Sequence, residues 1–266
     1  MRCIPVYALL IYFGFLSCNP TPPDYIAYSS KRGEGKEIFL LNLQTGEESQ
    51  ISRGTPENIR PIFSPDGKHL FYYTTKDKNT DIVHYYRDTG KLTLLTDGPG
   101  LETHLSISPD SKWVIYVSKA DIFLAEIDGS KAQNISKDSD QDLRPAWHPS
   151  GKKIVWHTRR NGNYDLIVYD IETGESEFVA NSELNEYNAS WSPDGNLLAY
   201  WVMQPEQGPQ LFIKQEGDRA ARPVSESGCR CNDISWAPTD NRLLYRQACT
   251  KRPNELRIFD AQSKKD

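Results

Sequence analysis

The chain has no surplus of positive charge. Its 31 lysines and arginines are outnumbered by 36 acids, for a formal net charge of -5 over 266 residues. No basic stretch suited to a phosphate backbone occurs, which argues against nucleic acid as a partner. Cysteine is scarce: five in all, with only Cys229, Cys231 and Cys249 after Cys18. None of them has the spacing of a zinc site. Gly-x-Ser-x-Gly is missing, so there is no nucleophile elbow. His-Glu-x-x-His is missing too. The run from Cys3 to Leu16 is apolar but too short to span a bilayer comfortably.

What is present is 38% apolar and 11% aromatic, with 6 Trp and 14 Tyr. That composition suits a β-rich globular protein and excludes disorder. The first residues must be set aside. Arg2 is followed by the uncharged run to Leu16, then Leu16-Ser17-Cys18 and a proline-rich polar stretch to Asp24. This pattern resembles a bacterial lipoprotein signal, although Phe15 and Leu16 depart from the residues usual before the cysteine. The resemblance implies a signal peptide over 1–17, lipidation of Cys18, and a tether over 18–24. The domain would then be held at an envelope membrane by lipid alone.

A repeat dominates the rest. FSPDGKHLFYY begins at Phe63, ISPDSKWVIYV at Ile107, WHPSGKKIVWH at Trp147, WSPDGNLLAYW at Trp191 and WAPTDNRLLYR at Trp236. The prolines Pro65, Pro109, Pro149, Pro193 and Pro238 recur every 40 to 45 residues. Each turn is followed by an apolar aromatic run, a polar loop, and a second run introduced in most copies by an acid: Asp81, Asp121, Asp165, Glu255. A Gly turn and a short closing run complete the unit. Short runs rich in β-branched and aromatic residues, punctuated by Gly, Asp, Asn and Pro, predict strands. Four strands per period is the pattern of a β-propeller blade. We label them a, b, c and d, with a before the Pro turn. The repeats start at Tyr25 with b-c-d and end with a-b-c, Gln262 to Asp266 being too short and polar for a d strand. The expectation is an all-β propeller over 25–266, of six four-stranded blades with incomplete terminal blades.

SPDG, an aromatic strand, a loop, then acid-apolar and a Gly turn resembles the TolB-type propeller repeat. The resemblance covers nearly everything after Asp24. TolB is a periplasmic protein of the Tol-Pal system, and its propeller binds the peptidoglycan-associated lipoprotein. It also has a separate N-terminal α/β domain, for which there is no room between Cys18 and Tyr25. The same repeat precedes hydrolase domains in prolyl-oligopeptidase-like peptidases, and none follows here. The resemblance therefore implies a free-standing propeller lipoprotein.

The site expectations follow from the repeat. Strands a line the channel of a propeller. Four residues before each Ser-equivalent of the turn stand Arg60, His104, Arg144, Asn188 and Asp233. At one level these would ring the channel mouth. Two arginines and a histidine there suit a carboxylate or an acidic peptide. The other histidines, His69, His84, His148 and His157, are read as structural or surface residues, with no metal and no cofactor expected. An exported chain permits a disulfide. Extending the register of the last a-b hairpin places Cys249 opposite 229 to 231, with Cys231 the preferred partner and Cys229 the other.

The expected function is non-enzymatic: an envelope lipoprotein, monomeric, facing periplasm or cell surface from what is expected to be the outer membrane, binding a protein or peptide at the channel mouth. The competing class is a propeller enzyme or small-ligand sensor, hydrolase or lyase in type, using the same channel.

Overall fold

The computed structural model describes residues 24–54, 57–137, 140–226, 228–249 and 253–261. The expected signal peptide, Cys18, the tether as far as Pro23, and Gln262 to Asp266 lie outside the described residues.

The described chain is all-β and its strands fall into the predicted units. β1 (Tyr25–Lys31), β2 (Lys36–Asn42) and β3 (Glu48–Gln50) form the b-c-d unit. β4 (Glu57–Phe63), β5 (His69–Lys76), β6 (Asn79–Tyr86) and β7 (Lys91–Leu94) follow as an antiparallel meander. One parallel pairing, Lys36 with Glu57, joins these two units into a continuous sheet. The third unit is β8 (Thr103–Ile107), β9 (Trp113–Ser118), β10 (Asp121–Glu126) and β11 (Gln133–Asn134). The fourth is β12 (Asp142–Trp147), β13 (Lys153–Thr158), β14 (Asp165–Asp170) and β15 (Ser176–Ala180). The fifth is β16 (Glu186–Trp191), β17 (Leu197–Gln204), β18 (Gly208–Gln215) and β19 (Arg222–Pro223). The sixth has β20 (Cys229–Trp236), β21 (Arg242–Cys249) and β22 (Glu255–Asp260).

The core lies between units, in five seams. Strand b side chains alternate across the sheet, as the pleat requires. Ile154 and Trp156 pack on Ile115, Val117 and Ile122 of the third unit. Val155, between them, packs on Leu198, Tyr200 and Val202 of the fifth. The same arrangement joins the first unit to the second through Ile38, Leu40, Leu70 and Tyr72. It joins the second to the third through Phe71, Ile82, Val114 and Ala125, and the fifth to the sixth through Trp201, Leu211, Leu243 and Tyr245. In the second to fifth units strands b and c are covered on both faces, which explains runs of continuous hydrophobicity where a one-sided sheet would alternate. In the sixth, Leu244, Leu256 and Ile258 are exposed. Each fully buried Leu, Ile or Phe contributes roughly 1.5–3 kcal/mol. Strand d stays near solvent, as in the fully exposed β3.

The proline turns fasten strand a to strand b. In the copies that keep both residues, the serine hydroxyl donates to the aspartate two residues on: Ser64 to Asp66 at 2.5 Å, Ser108 to Asp110 and Ser192 to Asp194 at 2.6 Å. The same oxygen accepts the N–H five residues on, from His69, Trp113 and Leu197 at 2.9–3.0 Å. These serines are buried, so they act as local staples and not as exposed nucleophiles. Trp147 and Trp236, which precede such turns, donate from Nε1 to the Ser106 and Ser190 carbonyls of the unit before.

The disulfide is Cys229–Cys249, which corrects the preference for Cys231. The hairpin pairs Trp236 with Leu243 near its turn, but a bulge between Asn232 and Ile234 shifts the register by one residue. Beyond it Cys231 faces Gln247, and Cys229 faces Cys249. The extrapolation assumed an unbroken ladder.

Candidate functional site

The first strands converge. β12 lies against both β8 and β16, so their edges share one side of the molecule. Each first strand of the second to sixth units is broken by a β-bulge, between Ile59 and Ile62, Thr103 and Ser106, Leu143 and Ala146, Tyr187 and Ser190, and Asn232 and Ile234. The five residues singled out in the sequence sit inside these five bulges. All five have left-handed backbone: Arg60, His104 and Arg144 at φ 53°, Asn188 at 55° and Asp233 at 54°. For residues with a side chain this costs roughly 1–2 kcal/mol each, least for Asn and Asp. The bulge removes one residue from the ladder and re-aims its side chain. Arg60, Arg144 and Asp233 are exposed, while His104 and Asn188 are half-buried.

Electrostatics link three of the five positions. Burial lowers the His104 pKa, and the nearby Arg144 and Arg60 guanidinium groups lower it further. His157, on β13, was not singled out from the sequence. Burial pushes it down to about 3, with Arg144 and His104 adding to the effect. Both imidazoles are therefore neutral at pH 7. Asn188 donates its backbone N–H to His157 Nδ1 at 3.5 Å, and Thr103 Oγ1 lies 2.9 Å from His104 Nδ1. Tyr73 occupies on β5 the place of His157 on β13, and its hydroxyl accepts the Leu105 N–H at 2.6 Å. These two residues catch backbone groups that the bulges free from the ladder. Lining up strand b, as well as strand a, would have revealed them.

Asp233 differs from the rest. Its carboxylate is 3.2 Å from Arg246 on the neighbouring strand. The structure thus brings Arg60, His104 and Arg144 together with His157 and Asn188, while Asp233 is engaged within its own sheet. Two fixed cations beside two neutral imidazoles and an amide can take up a carboxylate or another compact anion.

The remaining histidines lie elsewhere. His69 Nδ1 and His84 Nε2 are 2.8 Å apart, and His84 is fully buried against Phe71 and Tyr86. His148 stands in a proline turn, 2.7 Å from Ser150 Oγ. Among the described residues one grouping of three with metal-ligand spacing, Glu226 with Cys229 and Cys249, is spent because both sulfurs are in the disulfide.

The uncharacterized protein Atu1656 of Agrobacterium fabrum is 29% identical over 202 residues, 67% of each chain. The Tol-Pal system protein TolB of Francisella tularensis subsp. mediasiatica is 26% identical over 186 residues, 66% of this chain and 42% of that protein. The crystal structure of TolB from Acinetobacter baumannii superposes with a TM-score of 0.56 at 26% identity, over 77% of this chain and 52% of that one. The chain thus spans about half the length of the TolB proteins it matches. The model of the TolB beta propeller domain matches residues 19–240, most of the chain, and the protein belongs to that family.

Proposed function

We propose that this protein is a non-enzymatic component of the bacterial envelope, exported and anchored by lipid at Cys18. Its channel mouth binds a protein or peptide partner through an acidic segment. The observation that carries the reading is the set of bulged positions, where Arg60 and Arg144 are exposed beside the neutral His104 and His157. Backbone strain repeated at five equivalent positions positions side chains for contact. Likeness to TolB proteins, one of them named for the Tol-Pal system, supports an envelope role and a protein partner. The test is Arg60→Ala with Arg144→Ala, followed by crosslinking of the full-length protein in cells. The expected result is at least tenfold weaker capture of the partner, with the circular dichroism spectrum unchanged. Undiminished capture overturns the proposal.

A second reading rests on the neutral His104 and His157 beside two cations. Such a set also suits a small acidic ligand or substrate held in the channel. Recovery of a small anionic molecule with the purified protein, and no crosslinked polypeptide, favours it.

A further inference from the structure

Three seams are closed by one repeated backbone bond. The residue two before the bulge donates its N–H to the carbonyl just before the strand c acid of the preceding unit. Glu102 donates to Thr80 at 3.0 Å, Asp142 to Ala120 at 2.8 Å, and Glu186 to Tyr164 at 2.7 Å. This places Glu102 beside Asp81, Asp142 beside Asp121, and Glu186 beside Asp165. At the first seam the corresponding residues are Asn58 and Glu37.

The seams differ in how they satisfy their acid. At the first, Asn58 Nδ2 donates to Glu37 Oε2 at 2.9 Å. At the third, Asp142 accepts Trp156 Nε1 at 2.8 Å and lies 3.9 Å from Arg160. The second and fourth seams place acid against acid. The aspartates accept amides, Asn79 Nδ2 on Asp81 Oδ2 at 2.9 Å and Asn161 and Asn163 Nδ2 on Asp165 at 2.7 and 3.0 Å. Among the described residues, however, neither an amide nor an arginine side chain donates to the facing glutamate. Glu102 is 2% exposed and Glu186 is 3% exposed. One oxygen of each is used: Glu102 Oε1 accepts from Ser118 Oγ at 2.9 Å, and Glu186 Oε1 accepts from Ser182 Oγ. The other oxygens, Glu102 Oε2 and Glu186 Oε2, are buried and meet no donor. So do Asp81 Oδ1 at the second seam and Thr158 Oγ1 at the fourth. Thr158 lies directly across the ladder from Asp165.

We propose that the second and fourth seams each bind a hard divalent cation of the Ca2+ type, Asp81 with Glu102 at one and Asp165 with Glu186 at the other. All the available donors are oxygens, carboxylate and hydroxyl, which suits Ca2+ and not a soft metal. A buried carboxylate is retained when it is paired or ligates a metal. The cation does at these seams what Arg160 does at the third. Burial raises the Glu102 and Glu186 carboxyls, and the facing Asp81 and Asp165 raise them further. Asp97 adds negative charge near Asp81. Lys119 lowers Glu102, but it ranks behind Asp81 in effect.

The test is calorimetric titration of the chelator-treated full chain with CaCl2, and with MgCl2 as control. The wild type is expected to bind two Ca2+ and to melt higher when loaded. Glu102→Gln and Glu186→Gln are each expected to bind one, and the double variant none. Glutamine supplies the amide that Asn58 supplies at the first seam, so these variants should melt no lower than wild type in chelator. Should a variant fail to fold, the Ca2+ stoichiometry of the wild type decides alone. No Ca2+ binding, a stoichiometry unaltered by the substitutions, or stabilisation by acid with no response to Ca2+ overturns the proposal. The last outcome would mean that the seams hold a proton.

Discussion

His148 Nε2 lies 3.1 Å from the carbonyl oxygen of Gly195, across the seam between the fourth and fifth units. The two residues belong to successive proline turns. A Cβ on Gly195 would lie 2.4 Å from that nitrogen, on a backbone with φ +77°. The imidazole cannot swing away freely, because it packs edge-on to Trp191 at 4.7 Å and contacts Ser150. Gly195→Ala is therefore expected to destabilise by about 2–3 kcal/mol in urea unfolding, combining left-handed strain with overpacking. In a His148→Ser background the cost should fall to the backbone part, about 1 kcal/mol. An equal cost in both backgrounds would contradict the contact.

The bulges predict an ordering of substitutions. At Arg144, with φ 53°, glycine relieves strain and valine aggravates it. Arg144→Gly should keep stability within about 0.5 kcal/mol, and Arg144→Val should cost about 1–2 kcal/mol. Denaturant midpoints measure both. Equal effects would show that the left-handed backbone is not maintained.

Cys229→Ala and Cys249→Ala should each cost about 3 kcal/mol, because the bond closes a loop with a sequence separation of 20. Cys231→Ala should leave the bond in place. Peptide mapping without reductant reads the pairing directly. A 231–249 crosslink would show that the bulge does not set the register.

Acid should weaken the domain through two histidines. Burial pushes His84 down to about 4 and His157 to about 3, against an ordinary value of about 6.5. Both are neutral in the folded chain, while the unfolded chain takes up protons below that ordinary value. Their contribution is complete above about pH 6.5 and is lost as pH falls toward 4 and 3, by up to about 1.4 kcal/mol per pH unit for each. The raised carboxyls of Glu102 and Glu186 act in the opposite direction. The comparison is therefore between wild type and His84→Gln or His157→Gln, whose unfolding free energies should fall less steeply between pH 7 and 5. Parallel slopes would exclude the histidines.

Much of the fold was legible because its signals are local. Pro65, Pro109, Pro149, Pro193 and Pro238 mark turns, three of them stapled over five residues by a serine, and strand patterns between them need no tertiary knowledge. The five bulged positions were found by repeat alignment alone, although their left-handed backbone was not foreseen. Cys229 was the second choice behind Cys231, because a one-residue shift at Asn232 and Ile234 moves every later partner. His157 was missed because its importance arises from Arg144 and His104 on other strands. The acids Asp81 and Asp165 were visible as openers of strand c. Their confrontation with Glu102 and Glu186 exists only once neighbouring units dock.

The bulges make position and chemistry independent. Arg, His, Arg, Asn and Asp occupy one backbone geometry within a single chain, so that geometry does not depend on the side chain it carries. Substitutions there would alter what the proposed site recognises while leaving the seams intact. On the proposed function, a lineage of such proteins could thus change partners through five codons, with the rest of the molecule held constant as a frame.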